Sequence, residues 1–470
     1  MAGESGLEED IMDLCGKNVL VFGAGKSGIG SVSLLLKVGA KPILYDGNDK
    51  LDASSLRGDF PADADVRIVL GPLEDSLVKS LDLCIMSPGV PTDIEPVCRI
   101  RQSGVPIWGE IELAFRLSRG QVLAVTGTNG KTTTVTLLGE IMKRHLGGDH
   151  VFVVGNIGNP YTDAALKTDD DSTAVAEISS FQLETIDTFH PHICAITNIT
   201  PDHLNRHHTM EEYIRVKESI TKNQTPDDFV ILNYEDDVLR AFGQSLQGKV
   251  RVRYFSSRRK LEDGMYLDGD MLKIADGQTK TVEDVINIHD QNLLGSHNYE
   301  NISTAVLCAV CAGVPLDEIR EVLRVFKAVE HRIEFVEEID GVAYYNDSKG
   351  TNPDAAIRAV LAMTRPTVLI GGGFDKGSTY DEWIESFKGK VKDLVLIGQT
   401  KEAIAKCARQ HGFMNIYLCD TFREAFDKCV SLAKPGDAVL LSPACASWGM
   451  FNNYEERGRI FKEYVRGIRQ

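Results

Sequence analysis

One stretch of the sequence, LAVTGTNGKTTTVTLLGEI, runs from an apolar segment through Gly127-Thr128-Asn129-Gly130-Lys131-Thr132 straight into a helical pattern. Glycines let backbone N–H groups curl around a polyphosphate, a helix N-terminus adds positive potential, and the lysine reaches the β and γ oxygens. A hydroxyl at Thr132 or Thr133 is suited to Mg2+. The usual eight-residue form of such a loop carries a glycine where Val125 stands, so this is a variant. Upstream, Gly23-Ala24-Gly25-Lys26-Ser27-Gly28 is a complete G-x-G-x-x-G between a strand-like and a helix-like run, and Asp46 ends the next strand. Alone, this is a dinucleotide fingerprint with its ribose-binding acid, although any diphosphate suits that helix N-terminus and the glycines leave the nucleotide open. Ser87-Pro88-Gly89 follows DLCIM, where a further strand end would face the same crevice.

Other residues could add chemistry. Glu177 follows the strand-like TAVA and is placed to hold Mg2+ beside a phosphate loop. TNITPDHLNRHH contains Asp202 and His203, and His190, His192, His203, His207 and His208 lie close in sequence. Their spacing fits no common zinc pattern and no cysteine pair accompanies them. Lys217 lies on the amphipathic run MEEYIRVKESI and by itself reads as a solvated surface lysine. Cys308 and Cys311 form a CxxC inside an apolar helical run and read as core packing. Towards the C-terminus, Arg332 stands at a loop position, and Asn346 to Asn352, Gly371 to Lys376 and Ser442 to Ser447 follow strand-like runs; their cations and hydroxyls together suit a small molecule bearing carboxylates.

The elements that must carry these residues alternate between strand and helix. NVLVFG, KPILYD, VRIVLG and DLCIMSPG alternate with helical runs, which predicts a mostly parallel sheet. QVLAVTG, VFVVG, TAVAEIS, ICAITNI and DFVILN form a second set, and VRVRYF, MYLDG and MLKIAD predict antiparallel pairing added to it. VAYYND, TVLIGGG, DLVLIG, NIYLCD and AVLLSP form a third. With 470 residues and roughly 150 per domain, the expected organisation is α/β with three domains. These are an N-terminal Rossmann-like domain at 1–109, a central P-loop ATPase-type, mostly parallel sheet with added antiparallel strands at 110–328, and a C-terminal Rossmann-like domain at 329–470.

Sixty-eight acidic residues against 51 basic ones give a formal charge of −17, which argues against nucleic acid or an anionic membrane as a partner. No apolar run is long enough to span a bilayer, the N-terminus is acidic, and the ten cysteines form no short-loop framework. A reduced, cytoplasmic protein is expected.

In order along the chain, GTNGKTT, EISSFQLE, TNITPDHLNRH, SHNYENISTA, EHR, NDSKGTNP, GGGFDKG and SPACAS resemble the Mur ligase family over essentially the whole length. The pairing of EISSFQLE with SPACAS is the most specific feature. The resemblance implies an ATP-dependent acid–amino-acid ligase of peptidoglycan precursor synthesis, acting as a monomer on small molecules. It would add D-glutamate to UDP-N-acetylmuramoyl-L-alanine through an acyl phosphate. ATP would lie on Gly127, Thr128, Asn129, Gly130, Lys131, Thr132 and Thr133, with Asn298, Asn301 and Asp347 around base and ribose and Arg332 on the phosphates. A pair of Mg2+ ions is implied, one on Thr132 and Glu177, the other on His203 and a carbamate of Lys217. Lys131, His203, Lys217 and Arg332 would then be the catalytic group.

The UDP-linked substrate would contact Gly25, Ser27, Gly28, Asp46, Ser87, Pro88, Gly89, Asn156, Ser179 and His203, and NAD is not expected there. D-Glutamate would meet Lys349, Thr351, Lys376, Ser447 and Tyr454. The family often has phenylalanine in place of Tyr454 and an acidic residue in place of Gly449; the same substrate is expected. A nicotinamide oxidoreductase, a nucleotide-gated binding module, a sister ligase of the family and a folylpolyglutamate synthetase-like enzyme are the competing readings.

Overall fold

The computed structural model describes residues 13–293, 295–327, 330–375 and 377–468. Among them the chain builds three sheets. The first contains β1 (Asn18–Phe22), β2 (Lys41–Asp46), β3 (Arg67–Leu70), β4 (Leu83–Met86) and β5 (Ile107–Gly109), in the order β3-β2-β1-β4-β5. Every pair in it is parallel. β1 and β4 read as unbroken apolar runs because helices cover both faces of such a sheet. The order reverses between β1 and β4, which opens a crevice at their C-terminal ends.

The second sheet comprises β6 (Gln121–Thr126), β7 (Val151–Gly155), β8 (Thr173–Glu177), β9 (Ile193–Ile196), β10 (Phe229–Asn233), β11 (Arg251–Ser256), β12 (Gly264–Asp268), β13 (Met271–Asp276) and β14 (Thr281–Asn287). Its order is β14-β13-β12-β11-β10-β9-β6-β8-β7. The antiparallel addition begins later than the sequence suggests. VRVRYF pairs parallel with β10, and β12 pairs parallel with it in turn; only β12–β13 and β13–β14 are antiparallel. Alternation of Arg251 and Arg253 with Val252 marks a half-covered strand but carries no information about direction.

The third sheet holds β15 (Glu334–Ile339), β16 (Val342–Asn346), β17 (Thr367–Gly372), β18 (Val391–Ile397), β19 (Ile416–Leu418) and β20 (Ala438–Leu441). The order is β15-β16-β20-β17-β18-β19, with β15 an antiparallel edge on an otherwise parallel sheet.

The described chain divides into two compact units. The first takes the chain up to Asn287 together with Glu300–Leu323, and the second takes Ile288–Tyr299 with the chain from Arg324 onward. The first two sheets share the first unit because one apolar core runs through both. Val19, Val21 and Ile85 join Ile111, Leu113, Val122, Ala176 and Ile196 in a single cluster, with the helix Glu110–Arg116 between. All ten cysteines are free. Among the described residues, no helix is long and apolar enough to cross a membrane.

Candidate active site

β6 is the inner strand from which the loop Gly127–Gly130 leaves, and the helix Lys131–Leu146 begins directly after it. Gly130 has φ 88°, and a Cβ there would stand 2.2 Å from Asn301 Oδ1, so the loop demands glycine for both backbone shape and space. The neighbouring strand β9 fastens the loop. Asn129 N donates to Asn198 Oδ1 at 3.0 Å, while Asn198 Nδ2 and Thr197 Oγ1 donate to Asn129 O at 3.0 and 2.6 Å. Thr128 Oγ1 lies 3.0 Å from the Tyr213 hydroxyl and donates to Thr200 O. The phosphate loop is therefore held in shape by protein groups alone.

Two amines converge on that loop. Lys131 Nζ donates to Gly127 O and Thr128 O, both at 2.8 Å, and Lys217 Nζ donates to Gly127 O at 2.7 Å. Lys217 is not the solvated lysine its helical run suggests: it is 1% exposed, on one face of Met210–Glu218 with Tyr213 and Val216. Those spacings of three and four residues put all three on the buried side. Burial first, and the Lys131 charge second, push the Lys217 ammonium well below the ordinary lysine range, while Asp202 and Glu177 act in the opposite sense.

Glu177 ends β8, the strand on the other side of β6, and is 2% exposed. Its Oε1 accepts from Asn156 Nδ2 at 2.8 Å, and its Oε2 is buried with no hydrogen-bond partner among the described residues. A buried carboxylate oxygen left without a donor, with the buried Thr132 hydroxyl at the start of the adjoining helix, is a hard-oxygen set that fits Mg2+. His203 has φ 53° and is half-exposed, and its Nε2 is 3.6 Å from Asp202 Oδ2. The other four histidines are engaged locally: His207 with Ser180 Oγ, His208 with Asp93, His190 with Asp228, and His192, whose Nδ1 accepts from Val122 N at 3.3 Å. Arg206 binds Glu184 through two nitrogens and donates to Val90 O at 2.8 Å, tying this segment to the loop after β4.

In the first sheet, Gly23–Gly28 follow β1, Asp46 ends β2 and Ser87–Gly89 follow β4, at the crevice. The structure gives several of them internal duties. Asp46 accepts from Ala24 N and Asn48 N, both at 3.0 Å, so it shapes the glycine turn. Ser87 is buried and donates to Gly23 O at 3.2 Å. Gly25 and Gly89 are exposed on the turns, and Ser27 and Pro88 are partly so. Asn156 is occupied by Glu177, as above. Ser179 caps the short helix Ser180–Leu183, exchanging hydrogen bonds with Gln182, whose Nε2 in turn donates to Glu110 Oε1 at 2.9 Å. Burial lifts the Glu110 carboxyl to about 7.

The second unit brings its candidates together at the C-terminal ends of the adjacent strands β16, β20 and β17. Asp347 is buried, and desolvation raises it to about 7 against the lowering influence of Arg332. Its Oδ2 accepts from Ser442 Oγ at 2.7 Å and its Oδ1 from Ile333 N at 3.2 Å. Arg332 is flanked by His331 at φ 66° and Ile333 at φ 46°, the latter rare for a β-branched residue. Its Nε is buried without a hydrogen-bond partner among the described residues. Lys349 Nζ stands 5.5 Å above the Tyr454 ring, Thr351 is partly exposed, and Ser447 is buried. Asn298 and Asn301 sit one turn apart on Ser296–Cys311 and both are buried. Lys376 lies outside the described residues.

The sequence reading missed the residues that hold these loops. Arg457, 1% exposed, donates from Nη2 to Ser348 O at 2.8 Å and from Nε to Ser348 Oγ at 3.0 Å. Its Nη1 and Nη2 also reach Cys445 O at 3.3 Å, joining the loops after β16 and β20. Desolvation lowers its guanidinium to about 10. Nothing in YEERGRIF singles it out, since a helical arginine is ordinarily solvated. Thr197, Asn198 and Tyr213 do for the phosphate loop what Arg457 does here; the first two open the motif TNITPDHLNRH, though their bracing role is not readable from it.

Three family models match the chain: the MurD-like N-terminal domain of Mur ligases over residues 17–109, the Mur ligase middle domain over 125–309, and the Mur ligase glutamate ligase domain over 331–445. A protein of Lachnospira eligens named UDP-N-acetylmuramoylalanine–D-glutamate ligase is 54% identical over 457 residues, covering 97% of this chain and 100% of that protein. Proteins of the same name from Lachnoclostridium phytofermentans and Clostridioides difficile are 52% and 44% identical, each over 97% of this chain and 100% of their own length. Among solved structures, the UDP-N-acetylmuramate–alanine ligase MurC of Thermotoga maritima matches with TM-score 0.60 at 18% identity, covering 96% of this chain and 99% of that one. MurF of Acinetobacter baumannii matches with TM-score 0.59 at 16% identity over 91% of each chain, a likeness of fold. With the phosphate loop, its buried lysine and carboxylate, and the C-terminal loops of the second unit all carried on matched segments, the chain belongs to the Mur ligase family.

Proposed function

We propose that this chain is the cytoplasmic ligase that joins D-glutamate to UDP-N-acetylmuramoyl-L-alanine with ATP, in peptidoglycan precursor synthesis. The observation that carries this reading is the meeting of Lys131 and Lys217 on Gly127 O, near Glu177, whose buried Oε2 has no hydrogen-bond partner among the described residues. Two amines and a carboxylate crowded at a glycine loop are suited to a triphosphate and a divalent cation. The shared name of relatives 44–54% identical over their full lengths supports the choice of substrates.

In this reading the segment 1–109 binds the uridine diphosphate, 110–328 binds ATP and 329–470 binds the amino acid, in a monomer. Gly25, Ser27 and Gly28 receive the diphosphate at a helix N-terminus, with Asp46 and Ser87 fixing the turn from behind. Lys131 exchanges the carbonyls of Gly127 and Thr128 for phosphate oxygens, and Arg332 offers its guanidinium to the same charge. Asn298, Asn301 and Asp347 serve the nucleoside. Thr132 and Glu177 hold one Mg2+, and His203 with a carbamate on Lys217 holds another; when bound, the metal neutralises phosphate charge. Burial and the Lys131 charge weaken the basicity of Lys217, which favours the free amine, the form that adds carbon dioxide. Lys349, Thr351, Lys376, Ser447 and Tyr454 receive D-glutamate.

The substrate carboxylate oxygen bonds to the γ-phosphorus as the bridging P–O bond to ADP breaks, giving an acyl phosphate. Cations arrayed there offset the repulsion between two anions. The amine of D-glutamate, having lost its proton, then bonds to the acyl carbon, and the C–O bond to phosphate breaks. The testing experiment measures ADP and phosphate release with Mg2+, UDP-N-acetylmuramoyl-L-alanine and a panel of L- and D-amino acids. Release that requires all components and prefers D-glutamate is expected. No ADP, or a clear preference for another amino acid, overturns the reading.

A further inference from the structure

Apart from the loops at the ends of β16, β17 and β20, the second unit carries a cluster of mixed donor atoms. The short helix Asp381–Glu385 and the helix Lys401–Gln410 each present a pair of polar residues one turn apart: Asp381 with Glu385, and Cys407 with His411, the residue that closes the second helix. Residues four apart share a helix face. Both helices are anchored in one core through Trp383, Ile384, Ile404, Ala405 and Ala408, so their facing surfaces are fixed.

We propose that Asp381, Cys407 and His411 form a binding site for one divalent transition-metal ion of the zinc class. One ligand atom from each of the three lies within 4.8 Å of the others, and His411 Nε2 is 2.9 Å from Asp381 Oδ1. Bonds of about 2.0–2.3 Å to a tetrahedral ion require donors roughly 3.3–3.8 Å apart, so the side chains need only small rotations to enclose it. Sulfur, imidazole nitrogen and carboxylate oxygen together suit zinc, whereas Mg2+ takes oxygen alone. The ring's other nitrogen, Nδ1, faces Glu385 Oε1 at 3.6 Å, the kind of outer carboxylate that orients a metal-bound histidine. Three protein donors leave a fourth position for water.

Access is open on the Asp381 side, whose side chain is 61% exposed, while His411 at 26% is seated against the protein. On binding, the Cys407 S–H gives its proton to solvent and a metal–sulfur bond replaces it; nothing is oxidised or reduced. Because the thiolate is the ligand, that proton is released on binding and reports the metal directly. Tyr380, next to Asp381, contacts Cys445 Sγ at 3.3 Å, which links the cluster to the loop Ser442–Ser447.

The test uses the full-length protein stripped by chelator and titrated with Co2+ in excess Mg2+. Expected are one tightly bound equivalent, a near-ultraviolet thiolate-to-cobalt band, release of one proton per ion, and displacement by Zn2+. C407S should lose the band, and H411Q should weaken binding at least ~10-fold; both should keep the parent far-ultraviolet dichroism and the parent ligation rate in Mg2+ alone. A band that persists in C407S, unchanged affinity in H411Q, or no stoichiometric binding at micromolar Co2+ overturns the proposal. Should C407S fail to fold, D381N is titrated in its place, and unchanged affinity there is equally decisive.

Discussion

Substituting alanine at two glycines of the first turn separates packing from ligand binding. Gly28 is the third residue of the helix Lys26–Lys37, and a Cβ there would stand 1.9 Å from Gly23 O and 3.2 Å from Ser87 Oγ. The contact is with backbone, more than about 1 Å inside van der Waals distance, so helix and turn must part. Overpacking of this kind costs about 1–3 kcal/mol, against roughly 1 kcal/mol gained by replacing glycine within a helix. At 1.9 Å from a backbone oxygen the cost lies in the upper part of that range, about 2–3 kcal/mol. A net loss of about 1–2 kcal/mol follows, a fall of several degrees in Tm at about 2–4 °C per kcal/mol for domains of 150–250 residues. The helix N-terminus moves with it, so KM for the UDP-linked substrate rises as well. Gly25 is the contrast: nothing lies within 4 Å of the point a Cβ would occupy, and its φ is −81°. Gly25→Ala should cost under about 1 kcal/mol, yet raise KM by putting a methyl where the diphosphate approaches. The assays are thermal unfolding and phosphate release against substrate concentration. A Gly28→Ala protein as stable as the parent would refute the close approach, and an unchanged KM in Gly25→Ala would remove the diphosphate from that turn.

Lys217→Ala should reduce ligation at least ~10²-fold and regain part of it with added short carboxylic acids; near-normal phosphate release without them would exclude a role for the lysine. Glu110, raised to about 7 from 4.5, binds a proton in the folded chain that the unfolded chain has lost between those values. Its contribution is therefore complete below about pH 4.5 and disappears as pH passes 7, an effect of up to about 3 kcal/mol. Denaturant midpoints from pH 5 to 8 should fall less steeply in Glu110→Gln, and parallel curves would count against the buried acid. Tyr213→Phe removes the hydroxyl 3.0 Å from Thr128 Oγ1, about 1 kcal/mol of support; an ATP KM about fivefold higher is expected, and no change would free the loop from that strut.

What is legible in the sequence is local. Both glycine turns and Glu177 announce themselves because a turn, a strand end and a lysine–threonine pair must be neighbours in the chain to work. Lys217 escapes such a reading because a single helical lysine looks solvated until Tyr213 and Val216 are recognised as its companions on the inner face. Arg457 and Tyr213 act across more than eighty residues, on Ser348 and Thr128, and no spacing rule reaches so far. Asp46 and Ser87 stand at strand ends, as their flanking runs indicate, but that their polar atoms brace the turn depends on distances that only the folded crevice supplies. β14, the direction of β11 and the short strand β5 are equally silent, since pairing partners decide them.

The carbonyl of Gly127, with its two amine donors, has a kinetic consequence. Lys131 serves as a placeholder, keeping the loop in its working shape before any nucleotide arrives. Capture of a triphosphate then becomes a swap of partners on an already formed cradle, with no chain segment to order first. Nucleotide uptake should accordingly proceed at the pace of diffusion and desolvation, leaving loop folding out of the rate.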